Sequence, residues 1–415
     1  GSSATNATAA LRGSPSDYDT WAAAGNPGWS FVEVLPCFKQ LERDLDFGEP
    51  WHGTAGPLPI RRAAATELTP LQGAFHEACR SAGEPAVADH NAPGAVGVGP
   101  WPSNGFGGLR RSAAVTFLAA ARGRPNLAIR ADVLVDRVVL EDGRATGVQL
   151  AGGETIAAER VILAAGAFGS PAVLMRSGIG PGDALQEVGI APTVELPGVG
   201  ENLQDHALFG LVYDAPGQAQ VAGVPWFQTL LTVAEERAPG EPGLHLFPAG
   251  PWVLADGPRA NLMVADLRPR SRGRLRLRSP DPVAAPIIDP AYLADPADLP
   301  RLLTAVALAR RLARTPPLGR ILREEIFPGP AAADGSAALV EAVRAGLDPY
   351  DHAVGTCRMG PRGDPTAVVD GRGAVHGVAG LFVADAAMMP TIPSANTNLP
   401  TLMVAERCAA WLKEG

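Results

Sequence analysis

The chain is poor in cysteine, and its four thiols (Cys37, Cys79, Cys357 and Cys408) are scattered through 415 residues. They form no C-x-x-C pair and no framework spacing, which excludes a disulfide-stapled scaffold and a zinc ribbon. That usage fits a reducing compartment, so a cytoplasmic location is expected, and no metal site is expected. Positive charge is also in short supply. Lys and Arg number 35 against 43 Asp and Glu, a net charge of −8, which argues against nucleic acid and anionic membrane as partners. No apolar run reaches the ~18 residues of a membrane span, and no signal peptide is visible. Methionine is absent before Met175, so residue 1 is not expected to be a translation start. A final absence concerns phosphate binding. No G-x-G-x-x-G follows an N-terminal strand, and no acidic residue follows it to hold a ribose, so that grip is not expected within these residues.

What is present is a large core and abundant punctuation. Hydrophobic residues make up 46% of the chain, with 48 Gly and 40 Pro spread along it. That composition reads as a loop-rich enzyme of two or three domains, or one two-lobed unit. Ser14-Pro15-Ser16-Asp17 predicts a helix start, and Val34, Leu35, Phe38 and Leu41 fall at helical spacing. Helices are also expected over 68–82, 111–121, 170–176, 295–313 and 399–411. Alternation predicts strands over 127–135 and 273–279, a hairpin over 135–150 and a buried strand over 157–165. Residues 207–269 carry only short apolar runs between Gly and Pro and resist assignment. No internal repeat stands out.

The most informative stretch runs from Tyr350 to Thr401. It holds His352-Ala353-Val354-Gly355-Thr356, then Leu381-Phe382-Val383-Ala384-Asp385-Ala386, then Ser394-Ala395-Asn396-Thr397-Asn398-Leu399-Pro400-Thr401. An acid at the carboxyl end of a strand is where α/β proteins place ligands. A turn opening a helix offers unpaired N–H groups to an anion. His352 has the residue type of a base active near neutral pH, and Asn396 follows 44 positions later. Taken alone, each has a plainer reading, as a core histidine and as a helix cap.

This stretch resembles the C-terminal part of the glucose-methanol-choline (GMC) flavin oxidoreductases. The resemblance extends to Gly166-Ala167-Phe168-Gly169-Ser170-Pro171-Ala172-Val173-Leu174-Met175-Arg176-Ser177-Gly178-Ile179-Gly180, to Asn202-Leu203-Gln204-Asp205-His206, and to the opening Gly1-Ser2-Ser3-Ala4-Thr5-Asn6. It implies a mixed α/β (α+β) two-lobed GMC fold, with an incomplete Rossmann-like FAD-binding domain (1–27, 119–206 and 345–415) and an antiparallel-sheet substrate domain (28–118 and 207–344). It implies FAD as cofactor, His352 as base and Asn396 as its partner. Ser2, Asn6, Ala7, Val135, Ala165, Asp385, Ala386, Asn396 and Thr397 are then expected along the flavin, with a companion N-terminal segment supplying the phosphate grip. His206 is expected to be structural. His52, His76, His90, His245 and His376 fall in no pattern.

The activity implied is oxidation of a primary, aryl or furanic, alcohol to an aldehyde, with oxygen or quinone as acceptor. Glu42-Arg43-Asp44 with His52-Gly53-Thr54-Ala55-Gly56-Pro57 looks most like the bacterial aryl-alcohol and hydroxymethylfurfural oxidases. A choline-type dehydrogenase, a lyase on the same fold and a fragment that binds no flavin are the rivals.

Overall fold

The computed structural model describes residues 1–216, 225–236, 238–255 and 257–414. Two capped helices come first. The carboxylates of Asp17 and Glu33 accept the N–H groups of Ser14 and Ser30 at 2.8 and 3.1 Å, which starts α1 (Pro15–Ala23) and α2 (Phe31–Leu41) as their sequences predict. Val34, Phe38 and Leu41 turn inward beside Tyr18, Trp21 and Trp29. The later helices that bear on the site are α3 (Pro70–Ser81), α4 (Gly166–Arg176), α5 (Asp298–Arg314) and α6 (Asn398–Glu414). Leu399, Met403 and Val404 of α6 join the same core as α2.

The strands that matter for the site are, in chain order, β1 (Gly97–Pro100), β2 (Val135–Glu141), β3 (Arg144–Leu150), β4 (Thr155–Ala157) and β5 (Val161–Leu163). They are followed by β6 (Ala207–Asp214), β7 (Thr229–Glu235), β8 (Ala238–Leu254), β9 (Gly257–Asp266), β10 (Glu325–Phe327), β11 (Leu347–Pro349) and β12 (Leu381–Val383). One antiparallel sheet has the order β10-β6-β9-β8-β7-β1, with β11 also pairing β6. Successive side chains of a strand face opposite ways. One face therefore sends Phe209, Leu211, Leu231, Leu246, Leu262 and Val264 into a core shared with α3 and α5. The other sends Leu230, Phe247 and Met263 toward Trp101, Tyr350 and Ala395. A second layer holds the meander β2-β3-β4 and the parallel pair β5-β12.

Four expectations change, one of them the strand over 273–279, which shortens to Arg274–Arg276. The strand expected over 127–135 begins only at Val135; residues 127–134 are irregular, and Ile129 is 47% exposed. Alternation makes a strand only where a neighbouring strand takes its hydrogen bonds, and among the described residues none lies there. The strand expected over 157–165 shortens to β5, with Ile162 48% exposed between buried Val161 and Leu163. The helix expected over 111–121 is a π turn (Ala114–Leu118) running into Ala119–Ala121.

A buried ionic network ties the N-terminal segment to the rest. Glu42, Asp44 and Asp89 are matched by Arg12, Arg62 and His52, all at least nine-tenths buried. His52 Nδ1 lies 3.0 Å from Glu42 and 2.9 Å from Asp44, and its Nε2 lies 2.8 Å from Asp89. Arg12 pairs with Glu42, and Arg62 bonds Asp44 at 2.8 Å and Asp89 at 2.7 Å. Burial opposes a charged imidazole here, but the three carboxylates outweigh it and hold His52 up to about 10. Three cations balance three anions, so Glu42, Asp44 and His52, although close enough together to ligate an ion, are already neutralised.

Candidate active site

Register brings the site together. β11 pairs with the start of β6, Pro349 opposite Ala207, so the residues after Pro349 lie beside those before Ala207. The N–H of Tyr350 donates to the carbonyl of His206 at 3.1 Å. The N–H of His352 donates to Asp205 Oδ1 at 2.8 Å, and the Tyr292 hydroxyl donates to Asp205 Oδ2 at 2.6 Å. Burial pushes the Asp205 carboxyl up to about 6, against those two donors. Gly355 follows with φ +92°, and a Cβ there would sit 2.5 Å from the Asn202 carbonyl oxygen, so only glycine fits.

The two signature motifs meet through a proline. Pro171 lies inside α4 and has no N–H for the carbonyl four residues back, that of Ala167. The Thr356 hydroxyl donates to that carbonyl at 2.6 Å. Thr356→Val, isosteric but without the donor, is expected to lower the unfolding free energy by about 1–3 kcal/mol, read by denaturant titration.

A second turn carries Asn396. The buried Asp17 carboxylate accepts the N–H and the hydroxyl of Ser394 at 2.8 and 2.7 Å. Asn396 Nδ2 then donates to His352 Nε2 at 2.9 Å, and its Oδ1 has no partner among the described residues.

His352 Nδ1 lies 2.9 Å from His206 Nδ1, and His206 Nε2 lies 3.1 Å from the Leu267 carbonyl. This chain of contacts fixes the protons. A carbonyl only accepts, so His206 carries its hydrogen on Nε2. Burial lowers His206 to about 3 and His352 well below its ordinary value, helped at His352 by the neighbouring imidazoles, so both rings are neutral. His206 Nδ1 is then bare and takes the hydrogen of His352 Nδ1. The Nε2 of His352 is left bare, facing Asn396. His206 is thus more than the turn residue expected from sequence. It sets the tautomer of the candidate base, across a separation of 146 residues that no local pattern encodes.

The surface beside α4 is open. Gly166 has φ +80°, and no heavy atom lies within 4 Å of where a Cβ would sit; Ala165 and Phe168 are exposed. Asp385 Oδ2 accepts the Gly166 N–H at 2.8 Å and the Ser170 hydroxyl at 2.5 Å, while its Oδ1 accepts the Ala387 N–H at 2.8 Å. The Gly355 N–H reaches the Ala386 carbonyl at 3.1 Å. Ala165, Asp385 and Ala386 therefore border one surface with the His352 turn, and Thr397 follows Asn396. Ser2 opens a 3-10 turn and Ala7 is exposed; Asn6 Oδ1 accepts from Thr8 N at 3.0 Å and from Arg110 at 2.8 Å. Val135 starts β2, its carbonyl 3.5 Å from Arg176. A shelf with small exposed residues and a buried acid at a strand end fits one face of a flat cofactor and its polyol chain.

The fold order and the buried His352–Asn396 pair go with a family of oxidoreductases that act on alcohols. The family models for the N- and C-terminal parts of the GMC oxidoreductases match residues 1–208 and 269–405, and the chain belongs to that family, whose cofactor is FAD. It is 38% identical over 436 residues to the 5-(hydroxymethyl)furfural oxidase of Methylovorus sp. (strain MP688), covering 99% of this chain and 81% of that protein. It is 36% identical to the oxygen-dependent choline dehydrogenase of Rhizobium rhizogenes, with 99% and 80% covered. The crystal structure of pyridoxine 4-oxidase from Mesorbium loti superposes with a TM-score of 0.93 at 33% identity, covering all of this chain and 83% of that one. Among the described residues no helix is long and apolar enough to cross a membrane.

Proposed function

We propose that this chain binds FAD on the shelf beside Ala165, Asp385 and Asn396 and oxidises a flat primary alcohol, aryl or furanic, to its aldehyde, with oxygen as acceptor. The observation that carries the reading is the bare Nε2 of His352 held 2.9 Å from the Asn396 amide. An alcohol that displaces the Asn396–His352 contact accepts the Asn396 N–H at its oxygen and donates its own hydrogen to His352 Nε2. The oxygen that develops charge stays held by the amide donor while the base takes the proton. His206 accepts the Nδ1 hydrogen throughout, which favours the imidazolium once it forms. FAD, when bound, supplies the acceptor for the hydride leaving the carbinol carbon. His352 is 6% exposed, with Tyr350 4.1 Å away ring to ring.

The furanic and aryl preference draws support from the hydroxymethylfurfural oxidase and pyridoxine 4-oxidase relatives and from the aromatic group Trp101, Phe227 and Phe247. A choline-type substrate is the second reading, because aromatic rings also attract quaternary ammonium groups and a choline dehydrogenase is a relative. We propose the division between cofactor and substrate domains that the sequence suggests; the core under α3 and α5 supports its substrate part, whereas α2, assigned to that part, packs with α6 in the other core. A cytoplasmic location rests on the free cysteines.

The test is aldehyde formation in air by FAD-supplemented protein, with furfuryl alcohol, benzyl alcohol and choline compared at equal concentration. Furfuryl and benzyl alcohol are expected to be oxidised with oxygen uptake. Oxidation of choline alone would overturn the substrate class, and oxidation only with an added quinone would overturn the acceptor.

A further inference from the structure

His245 is 2% exposed, yet its Nδ1 has no hydrogen-bond partner among the described residues. Buried polar atoms are nearly always paired, so a second observation matters. A cavity of about 20 Å³ opens beside it, lined also by His90, Thr232, Ser14 and Ser394. His90 also borders it, its Nδ1 3.2 Å from the Thr232 hydroxyl. The room suits one oxygen atom, since a single water needs roughly 10–15 Å³ by this measure.

The cavity adjoins the catalytic group. His245 and Phe247 are two positions apart on β8 and share its inward face. Phe247 stacks on Tyr350 at 5.7 Å, and Tyr350 lies 4.1 Å from His352. Ala395, next to Asn396, lines the cavity, as does Leu11, and both belong to the apolar cluster that holds Phe247. Burial lowers His245 well below its ordinary value and His90 to about 4. Both imidazoles are therefore neutral and can donate or accept, and none of the side chains lining the cavity is charged.

We propose that His245, with His90 and Thr232 beside it, is a specificity subsite for a second oxygen on the substrate. The chain then selects flat primary alcohols that carry a hydroxyl or carbonyl on the far side of the ring. The proposal rests on the alcohol-oxidation reading for the identity of the ring, but its binding step needs no turnover. A quaternary ammonium group has no hydrogen to donate and no lone pair to offer, so it leaves the His245 Nδ1 unpaired.

The probes are furfuryl alcohol and 2,5-bis(hydroxymethyl)furan, titrated calorimetrically into the chain without added FAD, so that nothing is consumed. The diol is expected to bind about tenfold more tightly, beyond the twofold that its two equivalent ends supply. His245→Leu is expected to bring the ratio down to that twofold, and His245→Gln, which keeps a donor and an acceptor, to restore most of it. A ratio near two in the wild type, or an equal ratio in the wild type and His245→Leu, would overturn the proposal and leave the cavity to a structural water. Thr232→Val serves as a second variant where His245→Leu does not fold, and an unchanged ratio there counts equally against the subsite. Failure of FAD-supplemented protein to oxidise either alcohol would instead remove the alcohol-oxidation reading, while the binding ratio still decides the subsite.

Discussion

His352→Ala is expected to lower kcat for alcohol oxidation by about 10²- to 10⁴-fold, the range a positioned general base contributes, with the aldehyde still the product. Three features of the site set that expectation. The Nε2 of His352 is bare, because its Nδ1 hydrogen is committed to His206. Its backbone is held by Asp205, so the ring cannot drift to another donor. The Tyr350 hydroxyl beside it is pushed up by burial and does not serve as a base at neutral pH. Asn396→Ala is expected to cost less, because the amide donor holds the oxygen but takes no proton. Steady-state kinetics in FAD-supplemented protein checks both, and a His352→Ala turnover within threefold of wild type would remove the base assignment.

His52→Ala is expected to be the most destabilising single change outside the hydrophobic cores, by about 3–5 kcal/mol. Truncation leaves Glu42, Asp44 and Asp89 buried with only Arg12 and Arg62 to balance them. By contrast, Arg130 and Glu154 form an exposed pair, 47% and 57% accessible, and Arg130→Ala is expected to change stability by less than about 1 kcal/mol. The pH dependence follows from the directions of the shifts. His52 is raised to about 10 in the folded chain, so its contribution is fully present below its unfolded value near 6.5 and fades as pH rises toward 10. Burial pushes Asp44 and Asp89 up, but the His52 imidazole and Arg62 outweigh it and leave both lowered. Their contribution is therefore present above about 4 and is lost at lower pH. Urea titrations of wild type and His52→Ala should differ most between about pH 4 and 6.5, and less at pH 9.

The site was more legible than the sheet that covers it. His352, Gly355 and Thr356 lie within five residues, and the geometry each demands is local, so a motif can carry them. His206 escaped because its role depends on β11 pairing with β6, a contact no short window contains. The region 207–269 resisted because β8 contains Pro242, Gly243, Pro248, Gly250 and Pro251, which argue against a strand by propensity. The structure accommodates two of these breaks as register irregularities, near Ala234 and between Ala249 and Trp252. Pairing on both sides overrides propensity there. Residues 127–134 erred the other way, with a good pattern and no partner strand among the described residues. The two imidazoles at the cavity carried no signal at all, since an isolated His90 or His245 looks like any core histidine.

In the proposed function His352 and Asn396 face a flavin and together activate an alcohol. An anaerobic titration of FAD-supplemented protein with furfuryl alcohol, followed by visible absorption, tests it most directly. Bleaching of bound flavin by one equivalent of alcohol in the wild type, slowed at least a hundredfold in His352→Ala, is the predicted result. Bound flavin that stays oxidised in the wild type, or bleaches equally fast in both proteins, would contradict it.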